Sequence, residues 1–341
     1  VQEIWPQLRS WVAEGTRFAT ATVVEASRPS PRGIGSVLAV RWDGEEFIGS
    51  VSAGCVESEV IEAAKAGMKD GKTRWLSFGP ESGFPWEVAL SCGGRIAVRV
   101  EPFAGQTDEK LGVLLARSLD DRERFLLMSF DGAHCLITED GNACPENADL
   151  PLPLIEMAKD HFRRGEGTRE IEWENSKALF RVLERPHRLF VVGAAHIAIH
   201  LVSFARVLGY ETVVIDPREA YARSDRFPDL PNQLVCRWPD EALKDFKIVS
   251  SDSIAAMTHD PKIDDQALSI FLKSPAEYIG ALGSRKSHTA RLKRLGKRGF
   301  KEEELARIHA PIGLDINSET PSEIALSVMS EIVQFRNASR R

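Results

Sequence analysis

Cysteine is scarce, and what there is has no pattern. The 341 residues hold five, at 55, 92, 135, 144 and 236. An odd, scattered set makes no disulfide framework and no Cys-x-x-Cys zinc or redox pair. Nor can it ligate two iron–sulfur clusters, which take four cysteines each in tight spacing. Reduced thiols suit a reducing cytosol, so a cytoplasmic protein is expected. Long apolar runs are also missing. The longest uncharged stretch, Leu189 to Ala205, contains Gly193, His196, His200 and Ser203. It falls short of the ~20 apolar residues that a membrane span needs, so no membrane association is expected. The first residues include Trp5, Pro6 and Arg9 and resemble no apolar leader. There is no basic excess: 44 Lys+Arg stand against 50 Asp+Glu, a net charge of −6. That argues against a dedicated nucleic-acid binder. No internal repeat or low-complexity segment stands out.

Enough apolar material is present to build a core. Hydrophobic residues make up 43% and charged residues 28%, which argues against disorder. At about 100–200 residues per domain, the length predicts two domains. A proline at Arg185-Pro-His187 marks a change of pattern, giving domains 1–185 and 186–341. In the first, strands are predicted over 17–26, 36–42, 46–51 and 95–100, with Asp43-Gly44 as a hairpin turn. Val56, Val60, Ala63, Ala64 and Gly67 repeat near the helical period and predict a helix over 56–70. Further on, strands are expected at 124–130 and 178–184, and helices at 111–118 and 154–164. This is an α+β domain. From Arg188 onward strand and helix alternate. Strands are predicted over 189–192, 211–215, 234–238, 253–257, 278–282 and 308–312. The helices lie over 195–208, 264–272, 284–295 and 322–335. Repeated βα units with apolar strands imply an α/β fold, here a Rossmann-like doubly wound parallel sheet.

The first βα turn of that sheet reads Gly193-Ala-Ala195-His-Ile-Ala198. A dinucleotide fingerprint would read Gly-x-Gly-x-x-Gly/Ala. Gly193 supplies the tight turn and Ala198 allows close helix–strand packing. Ala195 replaces the glycine that lets a pyrophosphate approach. Asp216 lies 23 residues after Gly193, where a carboxylate would hold ribose hydroxyls. Bound NAD(P) or FAD is one reading, and a Rossmann-like domain kept for its architecture is the other. Two more turns follow strand ends. His259, in Thr258-His-Asp260, is either a ligand contact or a structural imidazole. Gly283-Ser284-Arg285 opens a helix and suits an anion, although Ser284 also reads as an ordinary N-cap. His196 and His200 share a helix face, but no third metal ligand accompanies them. Arg285–Lys301 holds eight Lys/Arg residues and no acidic one. It reads as a solvated face or as a docking surface for an acidic partner.

Two cysteines stand in glycine-rich settings. Cys55 lies in Gly49-Ser-Val-Ser-Ala-Gly54-Cys-Val-Glu57, at a strand–helix junction where the helix dipole favours a thiolate. Cys92 lies in Ser91-Cys-Gly93-Gly94, beside bare backbone whose N–H groups could hold an oxyanion or a pterin carbonyl. Thiolates are soft ligands for a thiol-rich metal cofactor. Glu57 is either a proton carrier or a first-turn partner of the helix dipole. Cys135, Cys144 and Cys236 have no such dressing and read as structural.

Both cysteine motifs are similar to the N-terminal motifs of the XdhC/CoxI family, the xanthine dehydrogenase accessory proteins. Gly193-Ala-Ala-His196, Thr258-His-Asp260, Tyr278-Ile-Gly-Ala-Leu-Gly-Ser-Arg285 and Ile308-His-Ala-Pro-Ile-Gly-Leu-Asp315 resemble that family's C-terminal Rossmann-like domain. The resemblance spans nearly the whole chain and is weakest between about 106 and 185. It implies an accessory protein rather than a hydroxylase. Such a protein binds molybdenum cofactor (molybdopterin) transiently. It assists sulfuration with a cysteine desulfurase and delivers the cofactor to xanthine dehydrogenase or a related molybdenum hydroxylase. The family's motif cysteines fall on Cys55 and Cys92, which become candidate sulfur ligands toward molybdenum. The chain departs from the commoner Gly-Gly-Cys at Ala53 and from Gly-Ala-Gly-His at Ala195. Two other readings stay open. One is a nucleotide-dependent oxidoreductase using the Rossmann-like half, and the other is a ligand-free scaffold docking through Arg285–Lys301. A homodimer is the commonest expectation for a soluble oligomer.

Overall fold

A computed structural model describes residues 14–27, 29–30, 32–43, 46–79, 93–103, 124–144, 150–183 and 187–338, with residues 4, 7, 8, 10 and 11. The chain divides into two compact units, Val1–Arg185 and Pro186–Arg341. Among the described residues, no helix is long and apolar enough to cross a membrane.

The first unit contains two antiparallel five-stranded sheets. One holds β1 (Phe18–Ala26), β2 (Val37–Arg41), β3 (Phe47–Gly49), β4 (Arg74–Phe78) and β5 (Ile96–Phe103), in the order β3-β2-β1-β5-β4. The other holds β6 (Phe125–Phe130), β7 (Ala133–Thr138), β8 (Ala143–Cys144), β9 (Arg169–Trp173) and β10 (Ser176–Leu183), in the order β8-β7-β6-β10-β9. Helix α1 (Glu57–Asp70) lays Val60, Ala64 and Met68 on Ala19, Ala21, Val23 and Val98 of the first sheet. Helix α2 (Leu152–Arg163) covers the second sheet in the same way, with Leu154, Ala158 and Phe162 on Leu126, Met128 and Phe180.

The remaining faces of the two sheets meet each other. Phe18, Ala39 and Phe103 pack on Phe125, Leu127 and Leu183. Strand β1 is therefore covered on both sides, and its first seven residues are buried. Beside this apolar contact lies a buried ionic cluster. Arg181 Nη2 donates to Thr22 Oγ1 at 2.7 Å and to Glu101 Oε2 at 3.2 Å. Arg99 pairs with Glu101 at 2.8 Å and with Glu170 at 3.3 Å. Burial alone would raise the Glu101 carboxyl, but the two guanidinium groups hold it below its ordinary value.

Pattern reading expects no strand at β4, β7, β8 or β9. Strands β4 (Arg-Trp-Leu-Ser-Phe) and β9 (Arg-Glu-Ile-Glu-Trp) are short edge strands that mix polar and apolar residues without a clean alternation. Only pairing with a neighbour makes such short segments extended. The helix expected at 111–118 lies outside the described residues.

The second unit is built on a parallel sheet of β11 (Arg188–Val192), β12 (Glu211–Ile215), β13 (Gln233–Val235), β14 (Asp252–Ala256), β15 (Tyr278–Ala281) and β16 (Ile308–His309). The order is β13-β12-β11-β14-β15-β16, and every pair is parallel. Helices α3 (His196–Val207) and α6 (Pro321–Ala338) pack on one face through Leu201, Val202, Val328 and Ile332. Helices α4 (Pro261–Phe271) and α5 (Arg285–Lys297) pack on the other through Ile263, Leu268, Phe271 and Leu295. This is the doubly wound arrangement that the alternating apolar strands imply. Its order reverses between β11 and β14, and ligands of such sheets bind outside the strand ends at that point.

Candidate functional site

In the first unit the two glycine-flanked motifs lead to one end of the first sheet. Helix α1 runs back along β1: near its end the Met68 carbonyl accepts from Arg17 Nη2 at 2.8 Å, just before β1 begins. Its start, with Cys55, therefore lies over the far end of β1. Cys55 is half-buried and packs on the apolar cluster that includes Phe78 and Ile96. Gly94 and Arg95 lead into β5 at this same end. Arg95 N donates to Ser27 Oγ at 2.8 Å, and Ser27 N donates to the Arg95 carbonyl at 2.8 Å. A Cβ on Gly94 would fall 1.9 Å from the Pro29 carbonyl oxygen, so only glycine fits there. A cavity of ≈ 450 Å³ opens here, lined by Glu25, Ser27, Ser77, Phe78, Arg95 and Ile96. That size suits a small-molecule site. Gly93 is exposed, while Ser91 and Cys92 lie outside the described residues.

Glu57 organises the loop that holds Cys55. Its carboxylate accepts from Ser50 Oγ at 2.7 Å, Ser52 N at 2.9 Å and Gly54 N at 2.9 Å, and also from Ser52 Oγ. Ser52 Oγ in turn accepts from Cys55 N at 3.0 Å and Val56 N at 2.9 Å. Burial would raise the carboxyl, but these donors outweigh it and bring Glu57 down to about 2. A carboxyl held so far below neutrality, with donors on both oxygens, fits the dipole-partner role better than a proton carrier. The Ser-x-Ser spacing before Gly-Cys-Val-Glu was the available signal for this knot, since hydroxyls there can reach back to a first-turn acid.

In the second unit the remaining candidates gather on the carboxyl edge of the parallel sheet. Gly193 ends β11, Asp216 follows β12, His259 follows β14, and Gly283, Ser284 and Arg285 follow β15. His196 is the first residue of α3 and is exposed, as is His259. The turns after β11 and β14 touch at the switch point. Gly193 has φ 109°, and a Cβ there would meet Thr258 Cγ2 at 2.6 Å. Asp216 is fully buried and already engaged. It accepts from Ala194 N at 2.8 Å and from Arg218 Nε and Nη2 at 2.8 and 2.7 Å. Burial opposes its charge, but Arg218 and the Ala194 amide hold its carboxyl below the ordinary value. Arg226 Nη1 donates to the Ala194 carbonyl at 2.8 Å, so the chain itself engages both sides of that residue. Residue patterns did not single out Arg218 or Arg226. Both lie in the long connection after β12, and only the folded loop brings them to the turn. Among the described residues no group of three or more His, Cys, Asp or Glu is placed to hold a metal ion.

Residues 11–79 match the model of the XdhC and CoxI family, and residues 189–332 match the XdhC Rossmann domain. Both matched domains are those of XdhC-type proteins. This XdhC-type chain is 26% identical over 326 residues to a probable xanthine dehydrogenase subunit of Bacillus subtilis (strain 168), covering 93% of this chain and 92% of that one. It is 27% identical over 326 residues to the molybdenum cofactor insertion chaperone PaoD of Escherichia coli (strain K12), covering 94% and 84%. Its fold is similar to the crystal structure of a xanthine dehydrogenase from Bacillus halodurans. There the TM-score is 0.76 and the identity 25%, over 97% of this chain and 95% of that one.

Proposed function

We propose that this chain is an accessory factor for a molybdenum hydroxylase of the xanthine dehydrogenase type. It holds molybdenum cofactor as cargo, helps its sulfuration and passes it on. The observation that supports this reading is that Cys55 packs on the apolar cluster holding Phe78 and Ile96, two residues that also line the ≈ 450 Å³ cavity beside Ser27 and Arg95. A soft thiolate with bare backbone nearby suits a metal-bearing, sulfur-rich pterin. In this reading Cys55 and Cys92 face the cargo's molybdenum or its incoming sulfur, and a cysteine desulfurase is the donor's source. The name of the chaperone relative agrees with it. The relatives named xanthine dehydrogenase fit it as well, because five scattered cysteines cannot ligate the iron–sulfur clusters such a hydroxylase requires. The reading carries a cytoplasmic location.

The test is co-expression with cofactor biosynthesis, purification, and assay of molybdenum and oxidised pterin. Wild type should carry pterin, and the Cys55→Ala/Cys92→Ala pair at least about tenfold less. Wild type without pterin, or equal pterin on the pair, removes the reading. A nucleotide in the second unit is the alternative, favoured by the start of α3, where Ala195 provides no side-chain cap. Titration with NAD(P)H or FAD decides it, and no binding at millimolar ligand eliminates it.

A further inference from the structure

The run of basic residues after β15 conceals one that does not face solvent. Arg291, on the inner side of α5, is only 4% exposed. Its Nη2 donates to the Leu282 carbonyl at 2.8 Å, while Nε and Nη1 have no hydrogen-bond partner. A Cβ on Gly283 would lie 3.8 Å from that Nη2, so the guanidinium sits directly under the Gly283 turn. Buried arginine N–H groups without acceptors are unusual and point to a missing anion. Its acidic neighbours do not fill the gap. Asp265 is committed to Arg294, with contacts of 2.6 and 3.0 Å. Asp264 Oδ1 accepts from Thr258 N and Oγ1 at 3.2 and 2.6 Å. Burial pushes the Asp264 carboxyl up, against the Thr258 hydrogen bonds and the Arg291 charge that favour its ionised form.

Directly above lies the start of a thirteen-residue helix. Ser284 Oγ caps the Ser287 amide at 3.2 Å. The Arg285 and Lys286 amides precede any intrahelical acceptor and point outward with the dipole behind them. The Arg285 and Lys286 side chains are exposed at the rim.

We propose that the start of α5, with Gly283, Ser284, Arg285 and the buried Arg291 beneath, binds the phosphate of a phosphate monoester or a diphosphate. This site is separate from the first βα turn, where a dinucleotide would place its pyrophosphate. There, Ala195 adds a side chain and Asp216 takes the Ala194 amide. Assigning the phosphate to the pterin cofactor rests on the proposed function. The phosphate site itself does not, and its test needs no pterin.

The test is isothermal titration of the full chain with sodium pyrophosphate at low ionic strength, on wild type and three variants. Ser287→Asp puts a carboxylate in the first turn, one turn before Arg291, where it imitates the anion and suits the helix. It should weaken binding at least about tenfold. It should also raise the melting temperature without ligand, which reports an intact fold. Arg291→Met should weaken binding by a similar factor. Ala195→Asp places the same charge at the start of α3 and should change affinity less than about twofold. The reverse pattern, loss in Ala195→Asp but not in Ser287→Asp, overturns the assignment. So does a wild type that shows no binding at about 10 mM pyrophosphate. Inorganic phosphate and ADP identify the source. Tighter binding of ADP by about tenfold marks a nucleotide, and comparable binding marks a bare monoester such as the cofactor carries. Either result supports the phosphate site.

Discussion

At the residue scale, Glu57 and Glu101 keep their charge out of water because donors and guanidinium groups surround them. Glu57 draws hydroxyl and amide donors from Ser50, Ser52 and Gly54, and so fixes the loop that presents Cys55. Its carboxyl is lowered from 4.5 to about 2, so its contribution to stability is complete above the ordinary carboxylate range. That contribution disappears as pH falls through the folded value. Thermal denaturation across pH should therefore show Glu57→Gln least stable relative to wild type near neutrality. The two should converge as pH approaches 2; a constant difference across the series would contradict the assignment. Glu101 is the other case, an acid between Arg99 and Arg181 inside the sheet–sheet contact. Glu101→Gln leaves two guanidinium groups without their shared counter-charge and should cost about 3–5 kcal/mol in urea denaturation.

At the element scale, the turn after β11 is held by close fit as well as by charge. Gly193→Ala combines a left-handed φ with a Cβ 2.6 Å from Thr258 Cγ2. It should destabilise by on the order of 2 kcal/mol. Adding Thr258→Ser removes the clashing methyl and should recover part, leaving the backbone cost; no recovery would show that the clash is not the cause. Ser284→Ala removes the cap of α5 and should cost about 1 kcal/mol. Elements of the second unit were the most legible in the sequence, because β11, β12, β14 and β15 are buried on both faces and each long helix buries one stripe. β12 shows this, predicted and observed at 211–215. Edge strands such as β4 and β9 were not legible, since a short mix of polar and apolar residues does not distinguish a solvated strand from a loop.

At the scale of the whole molecule, each hydrophobic cluster draws its residues from a single unit. Hydrogen exchange should therefore show Glu101→Gln loosening β1, β5 and β10 while β11 to β15 keep wild-type protection. Spread of the effect into the parallel sheet would refute separate cores. Net charge is a poor guide at this scale. The total is −6, yet the acid-free run 285–301 turns Lys286, Lys293 and Lys297 outward and Arg291 inward. Those lysines solvate the surface, and the buried arginine belongs to the proposed phosphate site.

The sequence by itself determined most elements of the second unit, its doubly wound parallel class and the family resemblance. Apolar period, turn residues and motif order are local properties, and they survive without coordinates. It also marked Cys55, Gly94, Gly193 and Ser284 as exceptional positions, because glycine and small polar residues at strand ends add little to a core and signal a turn, a cap or a close approach. Tertiary structure alone decided what those positions touch. It gave Glu57 its donors, tied Asp216 to Arg218 and put Arg291 under the Gly283 turn. It also placed an ionic cluster between two sheets that the sequence does not show as facing each other. Some join residues far apart in the chain, such as Arg181 and Glu101, and others, such as Asp216 and Arg218, are neighbours whose geometry only the folded loop fixes. Their partners are set by packing, which residue type and spacing do not encode.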